Sequence, residues 1–346
     1  MLSDRKMRIL KSIIDDYILT GIPVGSRSLS KKPDLDFSPA TIRNEMADLE
    51  EMGYLDKPHT SAGRMPSDIA YRLYVDRLMD VNQITNQEAT SIRKYFNLKM
   101  SELEQVIDTT ARVLSDLTHH VSLVMAPQME EIKVRRIQIV KLTENRALLI
   151  IVTDTGIIKD TVITVSRDVE DDFLNMLSNA LTQNTANKTL GEAAKVIREV
   201  CAAELGQHRE LINEILGAVS ENKDRKDIVL GGVKNILDYP EYADTKKARE
   251  LLQLLETKDM LYDMLDVQGD LEFSIKIGSE NAFEEFKNMS VVTATYRVGG
   301  QKMGSFGIIG PTRMDYGKVI SVLNYVGLSL NEILSCFLED GNKKQR

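Results

Sequence analysis

The chain is poor in the residues that carry redox and aromatic chemistry: it has two cysteines, no tryptophan and 5% aromatic residues among 346. Cys201 and Cys336 alone exclude a disulfide framework and a cysteine-rich zinc site, and they fit a reducing, cytoplasmic compartment. Long apolar runs are missing too. The densest, Ala147 to Val152, is far too short to cross a bilayer, and the N-terminal apolar stretch contains Asp15 and Asp16, which excludes a signal peptide or a membrane span there. The chain reads as soluble. Nor is there an excess of base: 44 Lys plus Arg face 52 Asp plus Glu, a net charge of −8, which excludes a uniformly basic nucleic-acid binder. What is present is an ordinary 42% of hydrophobic residues, enough for the cores of the two or three domains that this length suggests.

Charge resolved by position says more than its total. Residues 1 to 77 hold 12 bases and 12 acids, so the whole acid excess lies after residue 77. Within the neutral segment, Arg27, Lys31 and Lys32 stand in a stretch without acid, as do Lys57 and Arg64, while Glu45 to Asp56 holds five acids and no base. Clusters of this kind can make one basic face on a neutral domain. On charge alone, chance clustering on a solvated surface explains them equally well.

The first helix is expected from Ser3, a suitable N-cap, through Met7, Leu10, Ile13, Ile14, Tyr17 and Ile18, and it ends at Gly21 and Pro23. A brief helix follows in "VGSRSLSKK", capped by Ser26 or Ser28. The stretch "FSPATIRNEMADLEEMGYL" opens with Ser38 at N-cap and Pro39 at N1 and buries Ile42, Met46 and Leu49. Pro39, Ala40, Thr41, Arg43, Asn44 and Ala47 then face outward in the first two turns, where a recognition helix meets base edges; Arg and Asn suit bidentate contacts with guanine and adenine. Glu50 and Glu51 are expected to point away from the groove.

After Gly53, Tyr54 and Leu55 start a small strand, and "HTSAGR" has the composition of a wing. There Thr60 and Ser61 donate to phosphates, Gly63 allows close approach and Arg64 enters a minor groove. Ser67 caps a further helix through Met79. Three helices and a basic glycine-tipped hairpin indicate a winged helix, against the competing reading of a generic three-helix bundle. The candidate DNA-binding set is Ser26, Arg27, Lys31, Lys32, Ser38, Pro39, Ala40, Thr41, Arg43, Asn44, Ala47, Lys57, His59, Thr60, Ser61, Gly63 and Arg64.

The rest of the chain reads as mixed. Residues 81 to 90 make a linker or helix junction, 92 to 117 a helix and "VSLVMAP" a strand. Strand-like runs at 134–142, 146–153 and 157–165 form a three-stranded meander, followed by helices over 168–220. From 226, "DIVLGGVKNIL" is strand-like, 244–266 a charged helix, "LEFSIKI" a strand, "SVVTATYRV" and "KMGSFGIIG" a hairpin, and 316–337 a final helix. Antiparallel strands mixed with helices indicate an α+β fold.

The segment "HTSAGRMPSDIAYRLYVD", together with "DIVLGGVKNIL", "PEY", "IKIGSEN" and "IGPTRMDYGKV" in that order, closely resembles the HrcA family of bacterial heat-inducible transcription repressors. Several expectations follow from the resemblance. The architecture becomes a winged-helix domain (1–80), a linker helix with the first part of a GAF-like α+β domain (81–130), an inserted α+β dimerisation domain (131–222), the remainder of the GAF-like domain (223–340) and a polar tail (341–346). The partners become double-stranded DNA bearing the CIRCE inverted repeat, a second copy of the chain, and the chaperonin GroEL, which maintains the repressor's activity on chaperone operons.

Enzymatic or metal chemistry finds no support. His119 and His120 adjoin and diverge, His208 stands alone, and no cysteine or carboxylate cluster has metal-ligand spacing, so no metal or cofactor is expected. Cys201 and Cys336 read as buried structural thiols. Arg313 and Asp315 lack a phosphate-loop context and are expected to pair with each other or to cap the last helix. Two other functions stay open at this point: a metabolite-responsive repressor, and an interaction module whose winged helix contacts protein.

Overall fold

The computed structural model describes residues 2–58, 63–81, 83–96, 103–126, 133–154, 158–204, 209–220, 228–265, 273–298 and 301–343. Helix α1, Asp4–Thr20, is capped by Ser3, whose hydroxyl accepts from the Lys6 amide, and it stops at Gly21 in the left-handed region. Its apolar face, Ile9, Leu10, Ile13 and Ile14, is fully buried. Helix α2, Ser26–Leu29, is a single turn that buries Leu29; its N-cap is Gly25, so neither Ser26 nor Ser28 caps it. Helix α3, Pro39–Glu51, starts where Ser38 and Pro39 place it. Strands β1, Leu55–Asp56, and β2, Met65–Pro66, pair antiparallel, and α4, Asp68–Leu73, capped by Ser67, runs on into a π-type turn over Tyr74–Leu78.

The expected helix over 92–117 is two helices among the described residues, α5 Asn86–Phe96 and α6 Leu103–Thr118. Strand β3, Val121–Met125, is buried along its whole length. A separate antiparallel sheet follows, of β4 Val134–Thr143, β5 Arg146–Thr153 and β6 Ile158–Thr164, with α7 Asp171–Thr185, α8 Leu190–Glu204 and α9 Arg209–Ser220 after it. Its inward side chains, among them Ile137, Ile139, Leu149, Ile151 and Ile163, form a core of their own with Leu174, Leu177, Ile197 and Ile215 of the helices.

Strand β7, Ile228–Gly231, returns to β3. It ends before a 3-10 segment, Val233–Asp238, so the expected strand covers only the first part of "DIVLGGVKNIL". The expected helix over 244–266 breaks at Thr257 into α10 Thr245–Glu256 and α11 Lys258–Leu265. Strands β8 Phe273–Ile277, β9 Met289–Val298 and β10 Gln301–Pro311 complete a five-stranded antiparallel sheet in the order β7-β3-β10-β9-β8, and helix α12, Tyr316–Lys343, closes the chain. The fold is therefore mixed α+β with antiparallel sheets. Strands β3 and β7 are neighbours in one sheet, and the whole β4-β5-β6 sheet lies between them in sequence.

One face of the five-stranded sheet carries α6 and α12; the other carries α10 and α11, with Leu251, Leu255, Leu261 and Phe286 against Val121, Leu123 and Met125. The first face shares one continuous core with α1 to α4, in which Tyr71 and Tyr316 meet at 6.1 Å. Polar contacts cross the same junction. Arg72 grips Glu280 through Nε at 2.7 Å and donates to the Ile275 carbonyl at 2.6 Å, and Asp68 accepts from the Ser279 amide at 2.8 Å. Arg313 pairs with Glu241, not with Asp315, and donates to the Ile18 carbonyl at 3.4 Å; Asp315 accepts from the Lys318 amide at the start of α12. Cys201 and Cys336 lie on α8 and α12, but their side chains fall outside the described residues.

His120 is buried at the start of β3, its ring stacked on Tyr239 at 5.2 Å beside a cavity of about 10 Å³, and burial pushes its pKa down to about 4. The folded protein thus refuses a proton that the unfolded chain accepts below about 6.5, so this histidine's contribution is whole above that pH and is lost as the pH falls toward about 4. Unfolding free energy is expected to drop by about 2–3 kcal/mol on this account across that interval. Denaturant titrations at a series of pH values check it: His120→Gln is expected to flatten the dependence, and an unchanged slope refutes the assignment.

Candidate nucleic-acid interface

Helix α3 is oriented by what it must bury. Ile42, Met46 and Leu49 pack against α1, and Glu45 stands in the same stripe, 5% exposed. A carboxylate in that position needs partners. Arg5 Nε lies at 2.5 Å and Lys6 Nζ at 2.8 Å from its oxygens, and Lys6 also reaches Asp48 at 2.8 Å. The contact with Lys6 outweighs desolvation and holds the Glu45 carboxyl below its ordinary range. At the N-terminus, Ser38 Oγ accepts from the Thr41 amide at 3.1 Å and meets Thr41 Oγ1 at 2.9 Å, so both hydroxyls are engaged in the cap.

With that face fixed inward, Pro39, Ala40, Arg43, Asn44 and Ala47 are exposed on the outer side, and Thr41 is half-buried. Arg27 and Lys31 are exposed on and just after α2, and Lys57 is exposed just beyond β1; none of these bases or Arg43 makes an ion pair among the described residues. Ser26 is half-buried. Lys32 turns toward α1, where its ammonium meets Asp16 at 2.6 Å. The loop between α2 and α3 is tied by Arg8, which donates to the Asp34 carbonyl and lies 5.4 Å over the Phe37 ring.

In the β1–β2 hairpin, Gly63 and Arg64 run beside Pro23 and Val24. The Val24 amide donates to the Arg64 carbonyl at 2.8 Å and the Arg64 amide to the Val24 carbonyl at 2.9 Å. A Cβ on Gly63 would lie 2.5 Å from the Val24 oxygen, which explains the glycine. The Arg64 guanidinium meets Glu50 of α3 at 2.5–2.6 Å, and Glu51 beside it is exposed. His59, Thr60 and Ser61 lie outside the described residues.

The family model of the HrcA protein C terminal domain matches residues 104–320. Over the whole chain, heat-inducible transcription repressors HrcA are similar: that of Halalkalibacterium halodurans is 40% identical over 338 residues, 97% of this chain and 98% of its own. That of Ruminiclostridium cellulolyticum is 41% identical over 348 residues, covering 99% and 100%. The chain belongs to the HrcA family of heat-inducible transcription repressors. The family is one of transcription repressors, not of enzymes. A crystal structure of a hypothetical protein, solved at 2.2 Å, shares the fold with a TM-score of 0.70 at 21% identity, covering 97% of this chain and 100% of that one.

In this HrcA-family chain the described residues contain no group of three or more His, Cys, Asp and Glu placed to hold a metal ion, and no helix among them is long and apolar enough to cross a membrane. The side chains that sequence reading missed are those that hold α3 rather than those it displays: Arg5, Lys6 and Glu45. A signal was present, since Glu45 stands three after Ile42 and four before Leu49, inside the apolar stripe. Replacing it removes the carboxylate that ties Arg5 and Lys6 of α1 to α3, leaving Lys6 with Asp48 alone and Arg5 to solvent. Glu45→Ala is expected to lower unfolding free energy by about 1–2 kcal/mol, less than a fully buried pair because Arg5 is half exposed. Chemical denaturation measures this, and a change within error refutes the structural role.

Proposed function

We propose that this repressor binds DNA directly and sequence-specifically, with residues 1–80 as a winged helix-turn-helix in which α3 enters the major groove. The observation that carries the reading is the outer strip of α3: small residues at 39, 40 and 47 permit close approach to base edges, and Arg43 and Asn44 project between them. Arg27, Lys31 and Lys57 stand to either side as phosphate contacts, with Ser26, Ser38 and Thr41 near the helix starts. His59, Thr60 and Ser61 at the wing tip, and Gly63 behind them, complete the candidate set; Lys32 supports the helix pair from within. Repression follows from occupying a promoter.

The body divides on the same reading into a GAF-like unit, 81–130 with 223–340, and an inserted unit, 131–222, that pairs two copies. Support for the pairing comes from the outer face of the β4-β5-β6 sheet. Val140, Leu148 and Val162 stand in register across the three strands, with Val152 opposite Ile158. Val140, Leu142, Ile158 and Val162 are between 39% and 64% exposed, an apolar sheet face without cover among the described residues. A two-fold dimer on this face presents two α3 helices and calls for an inverted-repeat operator. The family resemblance names that operator as CIRCE and adds the chaperonin GroEL as the partner that sustains activity. Footprinting of the chain's own upstream region, with and without chaperonin, tests both.

Two further outcomes are expected. Arg43→Ala loses about 1–3 kcal/mol on the operator and little on random duplex, whereas Lys31→Ala weakens both and makes the salt slope shallower by about 0.9; fluorescence anisotropy across salt concentrations separates them, and equal losses on both duplexes for Arg43→Ala refute base reading. Val140→Lys with Val162→Lys yields a folded monomer in analytical ultracentrifugation whose operator affinity falls by at least about 100-fold, because the two heads no longer share one binding event. A dimer that survives both substitutions refutes the sheet face as the contact.

A further inference from the structure

Glu45 to Asp56 is the acid-rich stretch that a DNA-reading helix would be expected to avoid, and Arg64 is the base that the wing would be expected to send into a groove. The structure joins the two. Arg64 places Nε at 2.6 Å and Nη2 at 2.5 Å from the same Glu50 oxygen, and its side chain retains only 19% exposure. We propose that Arg64 is a positioning residue that clamps the wing to the back of α3, and that it makes no contact with DNA. The proposal rests on the DNA-binding reading above and refines it.

Three features carry it. The hairpin has only two paired residues on each strand, Leu55 with Pro66 and Asp56 with Met65, too little to hold its own orientation. At its base Ser67 donates from its amide to the Tyr54 carbonyl and from its hydroxyl to the Gly53 carbonyl, and toward the tip it is anchored by the Val24–Arg64 pair of backbone hydrogen bonds, made where Gly63 lets the chains touch. The Arg64 side chain then adds a charge-assisted link from that anchor to the last turn of α3. Glu50 gains as well, since a carboxylate near a helix C-terminus is otherwise disfavoured by the aligned carbonyls. The pair is locally neutral. It therefore attracts no phosphate and fixes the angle between wing and recognition helix, the geometry on which simultaneous engagement of two grooves depends.

The two roles predict opposite signs for Glu50. If Arg64 touched DNA, Glu50→Gln would release a cation and remove an acid, tightening binding to any duplex. If the pair is a clamp, Glu50→Gln weakens operator binding as Arg64→Gln does. The test uses the full chain with Glu50→Gln, Arg64→Gln and both together. Affinity is measured for the inverted-repeat operator and a random duplex over a salt series, and hydrogen exchange is measured at the Val24 and Arg64 amides. The clamp predicts that each single variant and the double lose about five- to tenfold on the operator, with no further loss in the double. Random-duplex affinity and salt slope stay as they were, and both amides exchange faster. Tighter binding or no change in Glu50→Gln, or a salt slope shallower by about 0.9 in Arg64→Gln, overturns it. If the unsubstituted protein does not distinguish the operator from random duplex, the DNA reading fails by itself. The exchange rates then decide the clamp alone: faster exchange in both single variants supports it, and unchanged protection overturns it.

Discussion

The buried carboxylate of Glu45 is the constraint from which the arrangement of the first eighty residues follows. A charge in an apolar stripe is tolerable only where opposite charges can reach it, and here both come from the first turn of α1. That requirement fixes α3 in rotation as well as in place. A turn of one residue about the helix axis, about 100°, would carry Glu45 away from Arg5 and Lys6 and bring Met46 out of the core. Hydrophobic packing alone specifies a broad face; the ion pair narrows it. The outer strip of Ala40, Arg43, Asn44 and Ala47 is the complement of that choice, so what the helix displays is set by what it hides.

The charge pattern takes on a different meaning once partners are known. Acids of α3 that seemed to oppose a DNA surface are largely consumed internally: Glu45 and Asp48 by α1, Glu50 by the hairpin. Bases divide in the same way, since Lys6, Lys32 and Arg64 are engaged in ion pairs while Arg27, Lys31, Arg43 and Lys57 are exposed and unpaired among the described residues. Removing matched pairs from a neutral segment leaves local sign differences at its surface. Of the exposed bases, Arg27 and Lys31 belong to α2 and the turn after it, Arg43 belongs to the outer strip of α3 and Lys57 is the residue after β1; on the proposed DNA-binding reading they supply basic contacts without a net basic charge.

Helix starts were legible in the sequence because capping is local. Ser3, Ser38 with Pro39, and Ser67 each declare a boundary within four residues, and the structure begins a helix at each. The meander and the terminal hairpin were legible for a similar reason: alternation and turn residues act over short spans. What escaped was long-range. Arg313 was read against its neighbour Asp315, yet its partner is Glu241, 72 residues away; Arg72 meets Glu280 at a separation of 208. Nothing in the composition of the segment around Arg64 records that Glu50, an acid of the preceding helix, lies beside it and pairs with it. Periodicity reports which residues are buried, whereas pairing among charged residues depends on how elements are brought together.

The junction between the first eighty residues and the body matters for the same reason. One continuous core runs through both, and Arg72, Asp68 and Arg313 span it with hydrogen bonds at its edges. A flexible tether would let each head search independently, at a cost in ordering when both bind. A head that shares its core with the body is held in place before binding. On the proposed dimer, the distance between the two α3 helices is then a property of the packed body, and an operator whose half-sites are spaced differently has to be deformed or bound by one head alone. Discrimination on this reading has two sources: the side chains of α3 select bases, and the packed junction, in which Tyr71 and Tyr316 are buried against each other, helps select spacing.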